Sequence, residues 1–260
     1  MRKINQKYVR SEKNSRSNED RKIRERSFHD EIFATESRRR LWSFYKISSS
    51  IRKAHADLLS EYSSKNILEI GCGLGSYATL MASKGAKVSA IDISDYAIKT
   101  SKEKAAEENL KIDFRVMDAE RLNYGDCEFD LVYGISVLHH LNLGKIVPEI
   151  KRVLRTGCKG IFIEPMSHNP FIRIFRILTP GLRSKDEHPL QVRDLQMLRR
   201  SFSFCEFRHY YMLAILALPF NKLPLFSQFM QSLERLDAML FAVFPWMKRF
   251  SWQVLLILKK

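Results

Sequence analysis

The chain has 260 residues, 45% of them hydrophobic and 28% charged, a balance that excludes wholesale disorder and provides enough apolar mass for a buried core. That length suits one α/β domain with attached segments, since single domains of this architecture run to roughly 250 residues. The formal net charge of +15 is carried as about +5 over residues 1–30, about zero over 31–144 and about +11 from 145 onward, which favours nucleic acid, an anionic membrane surface or an anionic substrate without choosing among them.

Residues 1–20 are polar and basic with almost no large apolar side chain, and are expected to form a flexible arm because they bury too little to offset ordering entropy. From Arg21, Ile23, Phe28, Ile32 and Phe33 recur at helical intervals. Leu41, Trp42, Phe44, Tyr45 and Ile47 continue the apolar pattern after Arg38, Arg39 and Arg40, so residues 21–62 read as an N-terminal helical cap.

From Asn66 short apolar runs alternate with helical stretches. Strands are predicted at 67–70, 87–91, 112–117, 129–133 and 161–163, with helices at 77–83, 95–109 and 144–154, and a turn at Gly157 precedes the fifth strand. Such alternation predicts a parallel sheet covered on both faces, with residues 63–165 as the core of the domain. Residues 166–260 read as insertions plus the last two strands. A Pro-punctuated loop region leads to a helix at 192–200 and a strand at 204–211; an apolar, helical stretch over 212–250 is expected to roof a pocket, and a strand at 252–258 closes the chain. The apolar runs of that stretch are broken by Pro219, Pro224 and Pro245 and fall short of the roughly 18–20 residues that span a bilayer.

Cys72, Cys127, Cys158 and Cys205 show no CxxC pair and no neighbouring His at a zinc-like spacing, so the sequence predicts no metal site. The first 20 residues lack the apolar stretch of a secretory signal, and the expected location is cytoplasmic, with peripheral contact at an anionic membrane as a further expectation.

The chemistry concentrates in LEIGCGLGS, residues 68–76. Gly71, Gly73 and Gly75 between a strand and a helix let backbone approach a ligand, and the helix N-terminus offers unpaired N–H groups. Dinucleotide folds share that pattern. Asp92, closing the second strand, suits the two hydroxyls of a ribose, which fits either cofactor class. Glu69, before the glycines, suits the ammonium of an amino-acid tail and would repel a pyrophosphate. Asp118 and Ala119, closing the third strand, offer a carboxylate and a backbone N–H to the edge of an adenine.

Together LEIGCGLGS, AIDIS, MDAERL and FDLVYGISVLHHL resemble the successive motifs of class I S-adenosylmethionine-dependent methyltransferases of the type 11, ubiquinone- and menaquinone-biosynthesis-like group. The resemblance covers about residues 66–165. It implies a Rossmann-like α/β three-layer sandwich whose seven-stranded, mostly parallel sheet has an antiparallel last strand, with N-terminal helices and a helical lid insertion added. It also implies S-adenosyl-L-methionine as cofactor, with Glu69, Gly71, Gly73, Gly75, Asp92, Ile93, Asp118, Ala119 and Ile135 around it; the apolar stretch 212–250, large enough to roof a pocket, adds the expectation of a small, hydrophobic or lipid-like acceptor methylated on O, N or C.

Candidate catalytic residues are His139 and His140 after the fourth strand, Glu164 at the end of the fifth, and His168 and His188 with Asp186 and Glu187 in the following insertion, where Asp186 and Glu187 equally suit a helix cap. Arg173, Arg176 and Arg183 interleave with Phe171, Ile172, Ile174, Phe175 and Ile177 in a stretch suited to an anionic head group, a membrane surface or a solvated basic face.

An RNA or protein methyltransferase using the basic arm is the alternative, although nucleic acid is disfavoured because the chain has no RNA-binding module and has Tyr133-Gly134-Ile135-Ser136 in place of an Asn-Pro-Pro-Tyr-like tetrapeptide. A catalytically idle partner protein on the same fold is a second alternative, opposed by the intact cofactor loop. A nicotinamide oxidoreductase is opposed by Ser76 at the third fingerprint position and by the charge of Glu69.

Overall fold

The computed structural model describes residues 2–35, 47–179 and 184–260. Arg38, Arg39, Arg40, Leu41, Trp42, Phe44 and Tyr45 of the expected cap, and Arg183 of the basic stretch, lie outside the described residues.

Seven strands form one sheet: β1 (Asn66–Ile70), β2 (Lys87–Asp92), β3 (Ile112–Val116), β4 (Phe129–Ile135), β5 (Leu154–Pro165), β6 (Phe204–Tyr210) and β7 (Gln253–Lys259). Their spatial order is β3-β2-β1-β4-β5-β7-β6. The first five are mutually parallel, and β7 runs antiparallel to both β5 and β6. The predicted sheet and its reversed last strand are therefore present. The fifth strand is longer than its predicted 161–163, because β5 continues from Leu154 through Gly157, which adopts φ +80°, with a register shift opposite Phe129 and Leu131.

Helices cover both faces. On one side α2 (Ser49–Ser60), α3 (Ser76–Ser83) and α4 (Asp95–Glu107) bury Ile51, Leu59, Met81 and Ile98 against Ile67, Val88 and Leu131 of the sheet. On the other, α5 (Leu143–Val153) and α7 (Val192–Ser201) bury Ile146, Ile150 and Leu198 against Leu68, Val132 and Phe162. Neighbours Ile67 and Leu68 thus serve opposite cores, as the two-residue period of a strand requires. Both faces being covered explains why the central strands are continuous apolar runs.

Three features differ from expectation. The chain is helical from Arg2 to Ala34 (α1), through the expected arm; its Arg, Lys, Gln and Glu residues favour helix locally even where no apolar face is offered. The predicted loop after Pro165 contains α6 (Pro170–Leu178), started by Asn169, whose side chain accepts the N–H groups of Phe171 and Ile172, and by Pro170 at the first turn. Residues 212–250 fold as a 3₁₀ segment (Ala214–Phe220), α8 (Phe226–Val243) and a second 3₁₀ segment (Pro245–Phe250), beside the β6 and β7 edge of the sheet. Buried Asp237 of α8 accepts the N–H groups of Met212, Leu213 and Ala214, which ties this unit to the end of β6. No described helix is long and apolar enough to cross a membrane.

Candidate active site

A cavity of about 880 Å³ opens at the carboxyl edge of the parallel strands. Its walls carry the ends of β1, β2 and β4, and α1 and α6 close over it. This is where an open α/β sheet binds ligands, because the chain diverges to opposite faces at β1 and β4.

The glycine loop follows β1. Gly71 and Cys72 donate their N–H groups to Ile91 O at 2.8 and 3.0 Å, so the loop is fastened to the end of β2. Gly71 has φ +68°, and a Cβ there would stand 2.6 Å from Val137 Cγ2, so both the turn and the close approach of the β4 loop require glycine. Asp92 is buried and holds the loop through two contacts. Its Oδ2 accepts from Gly73 N at 2.8 Å and its Oδ1 from Ser94 N at 2.9 Å.

Glu69 sits opposite Tyr133 in the β1–β4 register, and the Tyr133 hydroxyl donates to its Oε2 at 3.2 Å. Burial pushes the Glu69 carboxyl up to about 8, against the hydrogen bond from Tyr133, which favours ionisation. A carboxylate so placed gains most by meeting a cation in the cavity. The Tyr133 hydroxyl is itself raised by burial and by Glu69.

Glu69, Gly71, Gly73, Asp92, Ile93, Asp118, Ala119 and Ile135 all line the cavity. Gly75 does not. It caps α3 with φ +76° and faces Ser101 and Phe114, where a Cβ would come within 2.9 Å of Ser101 Oγ, so its role is to let α3 start against α4 and β3. Asp118 is paired with Lys22 of α1, and its Oδ1 accepts from Glu120 N.

At the far side of the cavity, Glu164 organises the turn after β4. It is fully buried; its Oε1 accepts from Val137 N and Leu138 N at 2.9 and 2.8 Å, and its Oε2 lies 2.8 Å from His139 Nδ1. Glu164 does not line the cavity, and both of its oxygens are engaged by the turn after β4. Accepting at Nδ1, it leaves His139 Nε2 on the other side, 3.9 Å from Glu187 Oε2. His140 stacks obliquely on His139 with ring centroids 4.1 Å apart, and burial, reinforced by His139, pushes it down to about 4, so its imidazole is neutral at neutral pH.

His168 and His188 are not cavity-lining, and His188 is exposed, contributing only its N–H to His139 O at 2.7 Å. Asp186 forms a two-pronged pair with Arg24, and Glu187 pairs with Arg176 at 2.6 Å. Neither caps α7, where Gln191 and Asp194 form the capping box. The roof also differs from expectation. No residue of 212–250 lines the cavity; α1 supplies Arg21, Lys22, Glu25, His29 and Phe33, while α6 supplies Ile172, Phe175 and Arg176. Glu25 and His29 of α1 are not among the candidate site residues read from the sequence, because the apolar period of this segment does not place it over the cavity.

Residues 68–162 match the family described as the methyltransferase domain. Among curated relatives, the chain is 28% identical over 132 residues to a sterol 4-C-methyltransferase of Caenorhabditis elegans, covering 48% of this chain and 40% of that one. It is 27% identical over 124 residues to a ubiquinone biosynthesis O-methyltransferase of Nitrosomonas europaea, covering 47% and 52%. The chain spans about half the length of the curated relatives it matches. A phosphoethanolamine N-methyltransferase of Haemonchus contortus, solved with S-adenosyl-L-methionine, shares the fold with a TM-score of 0.58 at 16% identity, covering 80% of this chain and 52% of that one.

Proposed function

We propose that the chain transfers a methyl group from S-adenosyl-L-methionine to a small, hydrophobic or lipid-like acceptor. The observation that carries this reading is that one cavity joins the glycine loop, Glu69 and Asp92 at one end to His139, His140 and the apolar Ile172, Phe175 and Trp252 at the other. Its size lies within the roughly 300–1,000 Å³ of small-molecule sites.

The residues present fit the cofactor. Glu69 would meet its ammonium, Asp92 its ribose hydroxyls, and Asp118 with Ala119 the adenine edge; the cofactor supplies an electrophilic methyl on a sulfonium. The chain's own residues supply positioning, exclusion of water by α1 and α6, and proton acceptance at His139 Nε2. The relatives act, by their names, on a sterol and in ubiquinone biosynthesis, which supports an apolar small molecule over a macromolecule. The cavity's cover by α1 argues in the same direction against RNA or protein as acceptor.

A peripheral membrane contact is a second reading, supported by exposed Ile174, Ile177, Leu178, Leu223, Leu225 and Trp246 on the α6 and 212–250 surfaces, near Arg173 and Lys248. Incubation with methyl-labelled cofactor and a panel of sterols, quinone precursors, phospholipid head groups and RNA tests the main reading. Label in an organic-extractable small molecule supports it, and label only in RNA or protein refutes it. Sedimentation with anionic vesicles tests the second.

A further inference from the structure

The α1 roof brings to the cavity wall a set of ligand atoms that the cofactor reading does not use. Glu25 Oε2 lies 3.0 Å from His140 Nδ1 and 3.4 Å from His29 Nε2, and the three atoms all fall within 4.8 Å of one another. Three ligands at about 2.0–2.1 Å from a common tetrahedral ion stand about 3.3 Å apart, and the two distances from Glu25 Oε2 are of that length. The orientation agrees. Glu25 Oε2 and His140 Nδ1 are buried and 3.0 Å apart but poorly aligned for a hydrogen bond, a geometry that lone pairs converging on a shared centre also produce. The second oxygen of Glu25 is held by the Ser184 hydroxyl, the kind of outer contact that orients a ligating carboxylate. A second triad, His139, His140 and Glu187, shares His140 and lies on the cavity side.

We propose that Glu25, His29 and His140 bind one divalent transition-metal ion of the zinc class, at the acceptor end of the cavity. Two imidazoles and one carboxylate suit such an ion better than magnesium or calcium, which prefer all-oxygen shells. Three protein ligands leave a coordination position open toward His139 and Glu187. The use of that position rests on the methyltransferase reading. A hydroxyl acceptor bound there through oxygen would have its pKa lowered, its O–H bond breaking with the proton passing to His139 Nε2, and the oxygen would become the stronger nucleophile. The site's acceptor class is then a hydroxylated small molecule. Metal-ligand spacing was invisible in the sequence because the ligands come from α1 and from the turn after β4, more than a hundred residues apart.

The test is a calorimetric titration of chelator-treated full chain with Zn²⁺ alone, and a parallel Co²⁺ titration read by visible d–d absorption. Wild type is expected to bind one equivalent and give a tetrahedral cobalt spectrum. Glu25→Gln and His29→Asn should each weaken Zn²⁺ at least about 10-fold, and Ser184→Ala about 10-fold through orientation alone. Circular dichroism melts confirm that the variants are folded. Binding well below one equivalent, or unchanged affinity in folded Glu25→Gln and His29→Asn, overturns the proposal. Asp92→Ala separates the two readings: it should keep Zn²⁺ while losing the cofactor. Wild type that takes up Zn²⁺ but not S-adenosylmethionine would uphold the ion site and refute the methyltransferase assignment, and the converse would do the reverse.

Discussion

Glu164 Oε2 lies 2.8 Å from His139 Nδ1 while Oε1 of the same carboxylate holds the N–H groups of Val137 and Leu138. One buried side chain thus fixes both the turn after β4 and the tautomer of the histidine that turn carries. Glu164→Ala strands buried donors, each costing about 1–3 kcal/mol, and should lower stability by more than about 3 kcal/mol in urea denaturation. Glu164→Gln keeps one acceptor oxygen and should cost less. A loss under about 1 kcal/mol for Glu164→Ala would contradict the role assigned to it.

Gly71→Ala is expected to weaken cofactor binding at least about 10-fold and to destabilise the fold by about 1–3 kcal/mol, because the new Cβ meets both a positive φ and Val137 Cγ2. Gly157→Ala also meets a positive φ, but nothing lies within 4 Å of its Cβ, so it should cost only the backbone strain and leave cofactor affinity unchanged. Thermal melts and cofactor titrations on the pair separate crowding at the loop from strain alone.

The pH dependence of cofactor binding follows from Glu69. Its folded carboxyl, pushed to about 8, keeps its proton between pH 4.5 and 8 whereas the unfolded chain has lost it, so this group's contribution to stability is full at low pH and falls as pH rises through that window. An ammonium docked on Glu69 requires the ionised form. Binding therefore expels a proton, and affinity for S-adenosylmethionine should rise toward about tenfold per pH unit between pH 6 and 8, then level off. Calorimetry in buffers of different ionisation enthalpy should detect the released proton, and Glu69→Gln should flatten the profile. A flat wild-type profile would remove Glu69 from the ammonium site.

The sheet and the cofactor edge were legible because they rest on local rules. Alternating apolar runs reveal β1 to β5, a glycine that must take a positive φ stands out at Gly71, and Asp92 closes its strand where the register puts it. The remainder depends on tertiary placement. Gly75 belongs to the same motif as Gly71 yet turns toward Ser101, a difference that only packing decides. Asn169 and Pro170 were a readable helix start, but the prolines around them gave the segment the look of a loop. The roof was assigned to residues 212–250 on apolar content, whereas Asp237 draws that unit to the end of β6 and leaves α1 and α6 above the cavity. Glu25 and His29 gain meaning only when α1 lies against His140.

The most direct test of the account is calorimetric titration of the purified chain with S-adenosylmethionine and with NADH, using Asp92→Ala as control. The account predicts micromolar-range binding of S-adenosylmethionine, none of NADH, and at least about tenfold weaker S-adenosylmethionine binding in a folded Asp92→Ala, because both the ribose acceptor and the Gly73 anchor are removed. Absence of S-adenosylmethionine binding, or equal affinity in wild type and variant, would contradict it.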